Sequence, residues 1–444
     1  MIAYISTIIL WNTLLKRNIG EAMGVGWLMT LLLSGNRCFD LFAASVQYAA
    51  TQEAVFAALA FVFMSYVMAK TGLVGRMVDI LNSLLGRIAG GAGYVSTLAS
   101  ALFGLISGSG SANAASVGAI TIPWMISSNW PREIAAVVVA GNAGLGMALP
   151  PSSSMFILLG LAAVSAQVRA GLLYLALLTA GLWTLAYRLL LVGFFVRKFH
   201  IHALPAKAIK PFRETLKSGW PSFLIFLGIL LPIGLSLGPV AEILKASPTF
   251  GLKAMDSISL IVWIPIIISW IALFEGRRFL PNTLSSWFDF LRSAARRYAV
   301  VGATLFFAFA AGEVMSRMGL AADLSVILQA LEVAPVAMIA LVGILVLLVC
   351  GPLTSTASIA AIGAVAFSAL VGVGVAPSIA AATVLIFSST EGASPPNAAP
   401  IFIAAGIANI DPAKTFWPLI FYYVIPIIFL GILIALGILP ALIG

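Results

Sequence analysis

Gly144-Leu145-Gly146-Met147-Ala148-Leu149-Pro150-Pro151-Ser152-Ser153-Ser154 interrupts an otherwise apolar stretch, and Thr390-Glu391-Gly392-Ala393-Ser394-Pro395-Pro396-Asn397-Ala398-Ala399-Pro400 does the same far downstream. The Pro pairs lie 245 positions apart. A Pro pair removes two backbone donors and stops a helix, freeing carbonyls that lipid cannot satisfy. Some forty residues before each break runs a small polar segment: Ser107-Gly108-Ser109-Gly110-Ser111-Ala112-Asn113, then Gly351-Pro352-Leu353-Thr354-Ser355-Thr356-Ala357-Ser358. Interruptions at matching places in two halves point to the substrate and ion sites of a secondary transporter.

Composition sets the broad class. Of 444 residues 61% are apolar and 9% charged, with a mean hydropathy of +1.11, far outside soluble usage. A membrane span needs about 20 mainly apolar residues. Ala54–Ala69, Ala170–Val196, Phe223–Leu237, Leu260–Phe274 and Phe416–Ile438 are the clearest such runs. Leu98–Met125 and Val333–Val373 are too long for one span and carry polar centres, which predicts hairpins. Met1–Leu15 leads into Lys16-Arg17 without a small-residue cleavage site and reads as a retained first span.

The net charge of +9 maps onto loops, so it argues for membrane topology and no nucleic acid. Arg197, Lys198, Lys207, Lys210, Arg213 and Lys217 crowd one loop, and Arg277, Arg278, Arg292, Arg296 and Arg297 another. Both should face the cytoplasm, with Lys16-Arg17 and Lys70–Arg76 on the same side and the Asn36–Thr51 loop outside. Cys38 and Cys350 are the two cysteines, one in that outer loop and one in a span, so no disulfide is expected. His200 and His202, in the basic loop, are too few for a metal site. A Ser hydrolase would need a His or Lys base near Ser107, Ser109 and Ser111, and none lies there; the His-Glu-x-x-His of a zinc protease is missing. Catalysis is disfavoured.

The expected fold is an all-α integral membrane protein, a multi-span inverted repeat with two re-entrant hairpins and two discontinuous helices. Residues 1–52 read as N-terminal scaffold spans and 53–197 as a first repeat with hairpin and broken helix. Residues 198–297 read as central scaffold spans with basic cytoplasmic loops, and 298–444 as the second repeat. Unwound carbonyls and helix C-terminal ends can hold sodium, whereas helix N-termini offer amides to a carboxylate. Ser, Thr and Asn add neutral oxygens, a hard donor set that suits an alkali cation.

Several motifs then occur in order: Thr71-Gly72-Leu73-Val74-Gly75-Arg76, Leu84-Leu85-Gly86-Arg87, Ala101-Leu102-Phe103-Gly104-Leu105-Ile106-Ser107-Gly108-Ser109, Val117-Gly118-Ala119-Ile120-Thr121-Ile122-Pro123, Pro150-Pro151-Ser152, and Pro395-Pro396 before Ile403-Ala404-Ala405-Gly406-Ile407-Ala408. Through them the chain, from about Phe56 to its C-terminus, resembles the DctM-type large membrane subunit of TRAP transporters. A looser likeness links Ser111–Ala114 and Ser394–Asn397 to the divalent-anion:sodium symporters. The resemblance implies sodium-coupled uptake of an organic acid through a bacterial or archaeal cytoplasmic membrane. An extracytoplasmic binding protein would deliver the substrate, a small four-span subunit would brace the chain, and an elevator motion would carry the cargo. It implies hairpin tips at Ser107, Gly108, Ser109, Ser111 and Asn113, and at Thr354, Ser355 and Thr356. The broken-helix loops would be Gly144, Gly146, Pro150, Pro151 and Ser152, and Ser394, Pro395, Pro396 and Asn397, with sodium at these same positions and no other cofactor. An organic-anion symporter working without a binding protein, driven by sodium or protons, is the alternative.

Two departures stand out. Family members often carry Asp where this chain has Thr354, and a small residue where it has Glu391. An ionisable residue at membrane depth is expensive and usually functional. Glu391 reads either as a cation ligand or proton carrier that restores the charge missing at Thr354, or as a cap at a watered helix end. Glu313 and Arg317, spaced i, i+4, read as a pair that can also border the substrate path. Arg188 is expected to snorkel to the interface.

Overall fold

The computed structural model describes residues 2–13, 15–203, 209–236, 239–247, 251, 260–319, 334–350, 353, 355–395 and 398–442. Every regular element among them is helical. In chain order they run α1 (Ile2–Thr13), α2 (Ile19–Leu33), α3 (Cys38–Thr51), α4 (Glu53–Lys70), α5 (Leu73–Leu85), α6 (Gly91–Ser107), α7 (Gly110–Ser127), α8 (Arg132–Asn142) and α9 (Ser153–Gly160). There follow α10 (Ala170–Lys198), α11 (Phe212–Ser236), α12 (Leu260–Glu275), α13 (Leu284–Arg317), α14 (Pro335–Cys350), α15 (Ser355–Gly372), α16 (Pro377–Ser388), α17 (Ala399–Ala408) and α18 (Ala413–Ala435). By length and composition, α10, α11, the Tyr298–Arg317 part of α13, and α18 can each cross a bilayer unaided.

Two sequence expectations change here. The segment read as an outer loop is largely helix, α3, with Leu41, Ser45 and Ala49 buried. That four-residue spacing makes one stripe, so the segment packs on α2 and α13. Arg188 does not reach the interface: it lies in the inner face of α10 and is 0% exposed. Its helix neighbours one and two turns away, Thr184, Gly181 and Val192, are buried too, so the stem has no path along the helix to water.

The two runs predicted as hairpins are each a pair of packed helices, α6 with α7 and α14 with α15. The open end of the first pair is tied to the basic segment after α10. Gly90 N–H donates to the His202 carbonyl (3.3 Å), and His202 N–H donates to the Ser128 carbonyl (3.2 Å). Other basic segments gather nearby in sequence order. Arg76 pairs with Glu275 (3.3 Å) and donates to Ser222 (2.8 Å), and Lys210 pairs with Asp79 (2.7 Å). Solvent-accessible pairs such as Lys210–Asp79 add little stability; the information in both pairs is positional, because they bring residues 70–86, 210–222 and 275–279 together. The body of α15, by contrast, borders Tyr48 of α3, Ala162 and Ala163 after α9, and Glu313 of α13. Tyr48 O–H also donates to the Gly160 carbonyl (3.2 Å).

The halves exchange arms. α17, after the second break, packs on α7 and α8 of the first half, and α9, after the first break, packs on α15 of the second. This crossing sets the two breaks face to face.

Candidate functional site

The first tip is built by two residues between α6 and α7. Gly108 turns left-handed (φ +58°) and its N–H caps α6 on the Gly104 carbonyl at 3.0 Å. Ser109 is extended, and its hydroxyl accepts from Ala112 N–H at 3.3 Å as the cap of α7. A left-handed Gly followed by a capping Ser satisfies both helix ends in the fewest residues. Ser107 closes α6 and Ser111 is half-buried in the first turn of α7. Asn113 is fully buried, and its amide donates to Ser100 O (3.0 Å) and Ala143 O (3.2 Å). It therefore ties both hairpin helices to the first break. Its Oδ1 is buried with no hydrogen-bond partner.

The first break follows α8. Asn142 donates to the Thr97 hydroxyl (2.9 Å), Ala143–Gly146 form one 3-10 turn, and the chain passes through a cis Pro150-Pro151 bond to Ser152. Ser152 caps α9 by accepting from Met155 N–H at 3.1 Å. Gly144, Gly146, Pro150, Pro151 and Ser152 are all buried. Backbone meets backbone here: a Cβ on Gly104 would lie 2.8 Å from the Cα and N of Gly146. The Ser153 hydroxyl donates to the Gly108 carbonyl at the tip (3.4 Å).

The second break follows α16. Glu391–Ala393 make a 3-10 turn, and the Ser394 hydroxyl donates to the Thr390 carbonyl at 2.8 Å before Pro395. Glu391 is 6% exposed. Its Oε2 would lie 3.3 Å from a Cβ on Gly110, the first residue of α7. The carboxylate of the second half thus sits at the electropositive N-terminus of the first hairpin's return helix. The breaks touch through glycines: Gly144 rests on the backbone of Ser389, and Gly392 on Ala140 and Gly144. Thr354, Pro396 and Asn397 lie outside the described residues; Ser355 and Thr356 open α15. Cys350, at the end of α14, is buried.

So the structure brings together the first tip, the first break and Glu391. Sequence reasoning missed Gly104, Gly110, Ser100 and the Asn142–Thr97 pair. The two glycines could have been found as small residues bracketing the tip, Gly104 one turn before Gly108 and Gly110 directly after Ser109. Glu313 and Arg317 do pair, at 2.5 Å, and Glu313 borders a cavity of about 70 Å³ between α3, α13 and α15. Cys38 and Cys350 are both free. The donors gathered at the breaks are amide, hydroxyl, carbonyl and one carboxylate oxygens. Such a set can hold a hard cation, and the N-terminus of α7 can meet an anion.

Comparison with known proteins follows the same lines. The family model described as "Tripartite ATP-independent periplasmic transporter, DctM component" matches residues 7–442. A C4-dicarboxylate TRAP transporter large permease protein of Pseudomonas aeruginosa is 29% identical over 197 residues, 44% of each chain. A sialic acid TRAP transporter large permease protein of Vibrio cholerae is 30% identical over 174 residues, 39% of each. An isethionate TRAP transporter permease of Oleidesulfovibrio alaskensis, DctMQ, is 29% identical over 167 residues, 37% of this chain and 26% of that one. The matched region spans less than half the length of these curated relatives. In fold, the chain is similar to the YdaH transporter of Alcanivorax borkumensis, with a TM-score of 0.69 at 17% identity over 92% of this chain and 90% of that one. It is also similar to MtrF of Neisseria gonorrhoeae, with a TM-score of 0.65 at 14% identity over 90% and 85%.

Proposed function

The chain belongs to the DctM family of tripartite ATP-independent periplasmic transporters and is a multi-pass large permease subunit, and on that premise we propose that it imports an organic acid by coupling it to sodium. The observation that carries this reading is the meeting of the two helix breaks. Gly144 and Gly392 press together with Glu391 beside the start of α7, which assembles cation-type oxygens and an anion-type helix end in one buried place. Sodium would be held by carbonyl and side-chain oxygens of the tips and breaks. Asn113 Oδ1, buried and unpaired, is the first group to which a cation would turn. Glu391 would supply negative charge that Thr354 does not.

We read α6–α7 and α14–α15 as re-entrant hairpins of opposite orientation. The open end of the first is tied to the basic segment at His202, and the body of the second borders Tyr48 and Ala162. With residues 53–197 and 298–444 as the two repeats, the hairpins and broken helices would slide as one body, elevator fashion. Residues 1–52 and 198–297 would supply the scaffold. The partners would be a small four-span membrane subunit and an extracytoplasmic binding protein, in a bacterial or archaeal cytoplasmic membrane.

The test is uptake into proteoliposomes holding this chain with its small subunit, with and without binding protein. Uptake of a carboxylate that needs an inward sodium gradient and the binding protein is the expected result. Uptake driven by protons alone would refute sodium coupling. Sodium-driven uptake indifferent to the binding protein would refute the partner assignment.

A further inference from the structure

Arg188 has no task in the reading above, yet it heads the fully buried side chains by volume. None of its three guanidinium nitrogens has a hydrogen-bond partner, and no carboxylate among the described residues lies within ion-pair distance. An arginine keeps its proton in proteins, so the charge is real and something must answer it. Burying it uncompensated is strongly unfavourable. The chain closes on it through two phenols, because Tyr187 is joined to Tyr422 and Arg188 and Tyr423 are the next residue on each side of that contact. Tyr187 is committed elsewhere, donating to the Tyr422 carbonyl at 2.7 Å. Tyr423 is not: it is 0% exposed and its hydroxyl has no partner. A π turn, Ile420–Val424, presents it, and its ring fills the space that a side chain on Gly141 would need. Such turns recur at functional sites.

Two orphaned polar groups, a cation and a hydroxyl, thus lie enclosed where α10 packs against α16 and α18. Water would complete their hydrogen bonds and leave the charge. An anion accepts from both and cancels it. Since both groups are sealed from solvent, the guest must be small. We propose that Arg188 and Tyr423 form a resident site for a chloride-sized inorganic anion. Bound there, it pins α10 to α18 behind Gly141, two residues before the first break begins at Ala143. This site is separate from the sodium and substrate positions and does not depend on the transport reading.

Thermal unfolding of the full chain with its small subunit, in sodium chloride against sodium gluconate at equal sodium, reads the site without transport. Chloride should raise the melting temperature by several degrees in a saturable way, bromide should replace it, and gluconate should not. Arg188→Met should melt at one temperature in both salts, no lower than the wild type does in gluconate. Tyr423→Phe keeps the ring on Gly141 and should raise the chloride needed for half of the effect tenfold or more. Equal melting of the wild type in both salts, or a chloride response that survives in Arg188→Met, would overturn the proposal. Should Arg188→Met fail to fold, an unchanged half-saturation in Tyr423→Phe overturns it equally.

Discussion

Gly392→Ala tests whether the two breaks must touch. The backbone of Gly392 lies in a conformation open to any residue, so the test is purely steric. An added methyl would stand 2.6 Å from the Ala140 carbonyl oxygen, 2.8 Å from Ala143 Cβ and 3.3 Å from Gly144 N, where ordinary contact begins at 3.4 Å. None of these atoms is the end of a flexible side chain, so the breaks must part by about 0.8 Å. Overpacking of this kind costs about 1–3 kcal/mol. The larger effect is positional, because Glu391 is the adjoining residue and moves with the turn. A misplacement of about 1 Å in a positioned group can cost roughly a hundredfold in rate. Sodium-driven uptake should therefore fall at least roughly tenfold, while the purified variant still unfolds cooperatively within a few degrees of wild type. Gly406→Ala is the control: nothing lies within 4 Å of its new methyl, and it should gain about 1 kcal/mol of helix propensity with uptake unchanged. Uptake by Gly392→Ala at the wild-type rate and sodium dependence would refute the argument that the junction of the breaks is the working site.

Glu391→Gln keeps shape and removes charge. Unit charges at about 4 Å and an effective dielectric of about 20 interact by about 4 kcal/mol, so a direct cation ligand should shift half-saturating sodium at least tenfold; unchanged sodium and pH dependence would reduce Glu391 to a cap. Asn113→Leu loses two buried hydrogen bonds, at 3.0 and 3.2 Å, and should cost about 2–4 kcal/mol, seen as a lower midpoint in denaturant; wild-type stability would disprove its bridging role. Lys210, beside Asp79, has its ammonium pKa raised by that hydrogen bond and charge. The pair's contribution is present below the unfolded Lys value of about 10.4 and is lost as pH rises through the folded value. Lys210→Met should then melt at most a degree or two lower at pH 7, since Lys210 is mostly exposed, and the difference should close as pH rises past the raised folded value; a difference that widened at high pH would contradict the sign.

The sequence alone determined that this chain is a membrane protein with two interrupted halves, because apolar run length and paired prolines act locally through hydration and backbone donors. Pro150-Pro151, Gly108 and the caps Ser109 and Ser152 do in the structure what those residue types do anywhere. The segment after Asn36 reads as a loop because the buried stripe of α3, Leu41, Ser45 and Ala49, is small and partly polar, so its helical period carries little hydrophobic signal. Arg188 was misplaced for another reason: snorkelling is judged from distance along one helix, whereas α16 and α18 close over that face. The partners of each break were likewise illegible. That Glu391 should reach Gly110, 281 positions away, or that Gly144 should bear on Ser389, follows only from the exchange of α9 and α17 between halves. Glycine marks a close approach in any sequence, but which backbone approaches is decided by how the helices cross.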